Sequence, residues 1–280
     1  MIEAFGYSFM QVALLVTVAS AVVCALLSCW IVLVGWSLMG DAVSHAVLPG
    51  VVLAYVIGWP FAIGALAFAV LAVSLIGAVR SGPTKEDTAI GIVFTSLFAL
   101  GLVLISVVPS QIDLGHILFG NVLGVSDAEV MQVVVLAVLV SVVLIVKRRD
   151  LVLWAFDPAH AHVVGMSPRR LTMLLLGLLA ITTVVGLQAV GVILVVAMLI
   201  IPGATARLLT ERFTRMLVLA PVVAVVASIA GLTASFHLDV APGGMIVLGQ
   251  AVAFALAYLA APRTGLLTRW RRLRETDRLA

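Results

Sequence analysis

Charge is what this sequence has least of. Lys, Arg, Asp and Glu make up 10% of its 280 residues, while hydrophobic types make up 64%. A water-soluble domain carries about 25% charged residues and roughly half apolar ones. With so little polar surface to draw on, the chain falls outside the soluble globular class and reads as a polytopic membrane protein. Cysteine is also scarce. Cys24 and Cys29 lie five positions apart and share a helix face poorly, so they read as buried thiols rather than a metal or redox pair. The segment from Met1 to Ser8 holds no Lys or Arg, and the apolar run behind it is too long for a signal-peptide core, which predicts a retained span.

Nucleotide chemistry is missing as well. The sequence has no Gly-Lys pair and hence no phosphate loop, no Gly-rich strand-to-helix fingerprint, no H-E-x-x-H and no convincing Ser-His-Asp set. The chain is not expected to be an enzyme, and any ATP hydrolysis must come from a separate subunit. The net charge of +3 comes from basic residues in short loops and a C-terminal tail, the pattern of membrane orientation rather than of nucleic-acid binding.

What is present is a series of apolar segments at about residues 9–35, 43–58, 61–80, 88–108, 128–147, 171–189, 191–206, 216–236 and 244–261. They predict an all-α fold of eight or nine transmembrane helices in a single domain. Basic residues cluster at Arg80 and Lys85, at Lys147 to Arg170, at Arg207 to Arg215, and after Pro262, and these loops are placed in the cytoplasm. Nine spans put the N-terminus outside and eight put it inside. Pro49-Gly50 and Pro202-Gly203 interrupt the second and seventh segments. Such breaks are tolerated in a membrane where neighbours or a cavity satisfy the freed backbone, so they are expected to line a path.

The most informative stretch is G-D-A-V-S-H-A-V-L-P-G, from Gly40 to Gly50. Asp41 and His45, four apart, share one face of a helix. A central Asp costs roughly 2.5–3.5 kcal/mol on insertion scales, which marks it as a functional candidate. A carboxylate with an imidazole suits Mn²⁺, Zn²⁺ or Fe²⁺. The competing reading makes Asp41 an N-cap of the second helix and His45 a packing group. Two further pairs, His237 with Asp239 and Asp113 with His116, fall near the outer surface. They read chiefly as polar helix ends, with metal guidance or an outer gate as the second possibility. On the cytoplasmic side, Asp157 as N-cap and Pro158 at the first helical position predict a short helix near residues 156–166, containing Ala161 and ended by Gly165. Its histidines, His160 and His162, read as surface residues.

Taken together, L-M-G-D-A-V-S-H-A-V-L-P-G, K-E-D-T-A-I-G-I-V-F-T from Lys85, F-G-N-V-L-G-V-S from Phe119, F-D-P-A-H-A-H-V-V-G from Phe156, V-V-A-M-L-I-I-P-G-A-T-A-R-L-L and P-G-G-M-I-V-L resemble, in order and over nearly the whole chain, the permease subunit of metal-importing ABC transporters of the manganese, zinc and iron class. Pro242-Gly243-Gly244 stands where that family often has Pro-Ser-Gly. The resemblance implies a fold similar to the vitamin B12 and siderophore importer permeases, and a homodimer in a bacterial plasma membrane. It also implies two cytoplasmic ATPase subunits, an extracytoplasmic metal-binding protein and no permanently bound cofactor, only a transported divalent ion. It assigns Asp41 and His45 to the metal, and the F-D-P segment with Asp157, Pro158, Ala161 and Gly165 to the ATPase contact. A permease for iron chelates and a stand-alone ion-coupled metal transporter are the alternatives.

Overall fold

The computed structural model describes residues 6–80, 85–107 and 124–261. Within them the chain forms helices and no strands. These are α1 (Ser8–Val34), α2 (Ser37–Ala46), α3 (Leu48–Ile57), α4 (Phe61–Arg80), α5 (Glu86–Val107), α6 (Asp127–Val146), α7 (Arg148–Phe156), α8 (Pro158–Val163), α9 (Pro168–Val190), α10 (Val192–Leu209), α11 (Phe213–Leu238) and α12 (Pro242–Ala260). Nine segments among the described residues are long and apolar enough to span a membrane, with α2 and α3 together making one, Ser37–Ile57. With the basic loops in the cytoplasm, nine spans put the start of α1 outside.

Local chemistry sets many of the boundaries. Ser126 and Glu129 form a reciprocal capping box at the start of α6. Ser167 accepts from the Arg170 N–H, and Pro168 opens α9. Gly35 ends α1 in the left-handed region, φ 85°, its N–H bonded to the Ile31 carbonyl.

α1 is the central post. It packs against α6, α9, α10 and α11, and from Val23 to Ile31 every side chain is buried. Trp30 is fully buried and lies 4.3 Å, centroid to centroid, from Phe213 of α11. Cys24 and Cys29 are both buried free thiols on this helix. Apolar side chains on α4, α5, α6 and α12 remain exposed; Leu248, Val252 and Leu256 form one such stripe on α12, fit for lipid tails. Between helices in lipid, close backbone approach replaces the hydrophobic drive. Gly50 of α3 and Gly64 of α4 meet so closely that a Cβ on either would overlap the other's carbonyl.

The two Pro-Gly sites depart from the sequence reading. The second span begins at Ser37 rather than residue 43, and it divides at Val47, two residues before Pro49. Proline's ring opposes the carbonyl four residues back, here that of His45, so helix α2 ends just beyond it. At the other site there is no break. Pro202 lies inside a continuous α10. Beside it, Ser28 of α1 accepts the Gly203 N–H at 2.9 Å and donates to the Ile200 carbonyl at 3.2 Å, which ties the proline turn to the central helix. The segment after Lys147 also holds two helices, α7 and α8, where one was expected. Leu151 and Trp154 of α7 are buried despite the Arg148-Arg149-Asp150 start.

Candidate functional site

α2 is wedged between α10, α9, α4 and α5. Its inner face is made of small and apolar residues. Gly40 lies against Leu199 of α10, Ala42, Val43 and Ala46 are buried, and the Ser44 hydroxyl donates to the Gly40 carbonyl at 2.7 Å. Asp41 and His45 occupy the other face, half-buried, with side-chain exposures of 36% and 23%. The N-cap position of α2 belongs to Trp36, so Asp41 stands in the second turn and does not cap the helix. At about 1.5 Å per residue, the pair sits roughly 6 and 12 Å beyond the cytoplasmic end of the span.

The geometry of the pair favours one tautomer of the neutral imidazole. His45 Nδ1 lies 3.1 Å from the Asp41 carbonyl oxygen and 3.3 Å from Asp41 Oδ1. In the neutral ring, two acceptors facing Nδ1 favour the proton there, which leaves the Nε2 lone pair for an incoming electrophile. The carboxylate retains lone pairs as well. One chain thus offers one nitrogen and one anionic oxygen from a single helix turn. Among the described residues no group of three or more His, Cys, Asp and Glu side chains converges as a metal cage would.

The other sequence candidates lie apart from this pair. Asp113 and His116 fall outside the described residues. His237 occupies the last turn of α11, exposed and with its ring edge-on to Phe236, and Asp239 is the C-cap residue with φ 52°. This is the geometry of a helix end, and among the described residues the pair joins no larger cluster of metal-binding groups. On the cytoplasmic side Asp157 accepts from the His160 N–H at 2.8 Å, Pro158 opens α8, Ala161 is buried, and Gly165 turns the chain at φ 86°. His160 and His162 are exposed. Phe156, Val163 and Val164 leave an apolar patch beside them, with Val163 82% exposed.

Two sets of residues escaped the sequence reading. Phe94 and Phe98 of α5 stand against the His45 ring, each with centroids 5.3 Å away. Phe94 lies inside the K-E-D-T-A-I-G-I-V-F-T motif, but nothing in the sequence sets it or Phe98 against His45. Trp36, directly before α2, meets Trp154 of α7 edge-on at 5.8 Å, both side chains being buried. Nothing in the sequence pairs those two positions.

Comparison with known proteins agrees with the fold and the motifs. The ABC 3 transport family matches residues 6–261. The manganese transport system membrane protein MntB of Synechocystis sp. is 47% identical over 97% of this chain and 90% of its own length. The chelated iron transport system membrane protein YfeD of Yersinia pestis is 49% identical over 92% of this chain and 87% of its own. Among solved structures, PsaBC from Streptococcus pneumoniae in complex with Fab superposes with a TM-score of 0.87 at 38% identity, covering 98% of each chain. The spans, the motif order and these matches together establish that the chain belongs to the ABC 3 transport family and is a multi-pass bacterial inner-membrane subunit of an ABC transporter.

Proposed function

We propose that this permease passes a bare divalent transition-metal ion, with Asp41 and His45 as its transient ligands. The observation that carries the reading is the pair itself: an anionic oxygen and a free imidazole Nε2, one turn apart, half-exposed on a membrane-spanning helix that stops directly after them. The names of the relatives, which refer to manganese and to chelated iron, support a metal cargo. Mn²⁺, Fe²⁺ and Zn²⁺ all accept this donor set. A two-fold dimer would supply two Asp and two His, and incomplete coordination suits a site that must also let go.

The work would come from outside the chain. Two ATPase subunits dock on the cytoplasmic side against α8, where exposed Val163 and the flanking Phe156 and Val164 offer an apolar foothold. An extracytoplasmic binding protein delivers the ion from the other side. Motion of α8 reaches α2 through α7, because Trp154 of α7 bears on Trp36 at the base of α2. The break at Val47 lets α2 move without dragging α3, which changes the side that the pair faces.

The test is uptake of Mn²⁺ by the reconstituted complex carrying Asp41→Ala or His45→Ala. Loss of a ligand should lower uptake by more than about 100-fold, beyond the 10–100-fold typical of an outer-shell change. Normal uptake by a normally assembled variant removes the pair from the mechanism. The chelate reading, which the name of YfeD favours, predicts that an iron chelate still passes when either residue is removed.

A further inference from the structure

The imidazole of His45 is held on more than one side. Phe94 and Phe98 lie one turn apart on α5, their rings stacked at 21° with centroids 6.0 Å apart. The His45 ring stands nearly perpendicular to both, at 79° and 80°, and 5.3 Å from each. It therefore sits astride the seam between the two phenyl groups, the three centroids forming an almost equilateral triangle. From its own helix, the Asp41 carbonyl and carboxylate take Nδ1. A histidine side chain has only two torsions. The hydrogen bonds anchor one edge of the ring and the two phenyl groups set its tilt.

The wall also controls what else can come near. The hydroxyl next to Phe94, that of Thr95, is turned to its own helix, donating to the Gly91 carbonyl at 2.7 Å. On the α5 side His45 meets hydrocarbon. An ion binding Nε2 gains no oxygen ligand from that wall to replace the water it gives up there. Ions that accept imidazole nitrogen tolerate this exchange, whereas Mg²⁺, which sheds water reluctantly and prefers oxygen, does not.

We infer that Phe94 and Phe98 are positioning and selectivity residues of the transport site: together they aim His45 Nε2 at the ion's route and keep oxygen donors from taking its place. This rests on the assignment of Asp41 and His45 to the cargo and adds two residues from a different helix to that site. It also makes α5, with α2, part of the selectivity element.

The experiment uses the intact complex of permease and ATPase, titrated with Mn²⁺ alone, with free Mn²⁺ followed by electron paramagnetic resonance and nitrogen ligation by pulsed measurements on the bound ion. Phe94→Leu with Phe98→Leu keeps the wall apolar but removes the rings. The expected result is Mn²⁺ affinity lowered about tenfold or more, a weakened nitrogen signal, and a smaller preference for Mn²⁺ over Mg²⁺ in competition. In a His45→Ala background the same two substitutions should cost no further affinity, since the residue they act through is gone. Parent-like affinity and nitrogen signal in the double variant overturns the inference, and so does an equal loss in the His45→Ala background. If the double variant fails to assemble, each single substitution is read by the same criteria. His45→Ala that leaves both Mn²⁺ affinity and the nitrogen signal intact refutes the underlying site assignment instead, so the two failures are distinguishable.

Discussion

Two of the three Pro-Gly pairs in this chain lie in the interior of membrane spans and adopt opposite backbones. At Pro49-Gly50 helix α2 stops at Ala46 and the chain restarts as α3, whereas at Pro202-Gly203 helix α10 runs straight through. Both glycines serve close packing, Gly50 against Gly64 and Gly203 against Ser28. The surroundings differ. Ser28 of α1 engages the Gly203 N–H and the Ile200 carbonyl from across the helix contact, and α10 continues. At the other site the His45 carbonyl turns to the Val47 N–H, two residues on, and the helix ends. The continuous site lies against the central α1, and the broken one lies beside Asp41 and His45.

Restoring the helix should separate the two sites most sharply. Pro49→Ala returns an N–H facing the His45 carbonyl, joins α2 to α3, and is expected to lower Mn²⁺ uptake at least about tenfold with assembly intact, in keeping with the 1–3 kcal/mol that coupling elements contribute. Pro202→Ala, in a helix already continuous, should leave uptake within about twofold. Equal effects from the two substitutions would erase the contrast.

A smaller effect is expected from Ser28→Ala, which removes the hydroxyl that bonds the Gly203 N–H and the Ile200 carbonyl across the contact of α1 with α10. Such losses in membrane helices are worth about 0.6–1.7 kcal/mol. Thermal unfolding of the complex measures it. A transition unchanged from the parent would mean that Ser28 does not tie α10 to α1. Smaller again is the Trp36–Trp154 contact, since an aromatic pair contributes about 0.5–1.5 kcal/mol beyond its area. Trp154→Leu should weaken ATP-driven uptake a few-fold while Mn²⁺ binding at equilibrium stays unchanged. Equal falls in both would place Trp154 in the scaffold rather than in the coupling route.

Much of this was legible in the sequence, and the failures have physical causes. Long apolar runs located the spans because lipid demands them, and Asp157-Pro158 announced α8 because capping is local chemistry. The start of α2 was placed six residues late because Gly40, Asp41 and Ser44, the residues that build its polar face and tight packing, depress its hydropathy. α7 was taken for loop because Arg148, Arg149 and Asp150 mask the buried Leu151 and Trp154. The hydroxyl that meets α10 beside Pro202 lies 175 positions away in sequence, and the Phe94 and Phe98 wall depends on how α5 meets α2. A local pattern can register a proline or a phenylalanine but not the partner that gives it its role.

The central proposal is that the ion meets Asp41 and His45 of α2 on its way through. Its most direct test is a structure of the assembled transporter, soaked with Mn²⁺ and measured at the manganese absorption edge. The expected result is an anomalous peak within coordination distance of His45 Nε2 or of an Asp41 carboxylate oxygen, lost on Asp41→Ala. A peak elsewhere along the spans, with none beside α2, would contradict it.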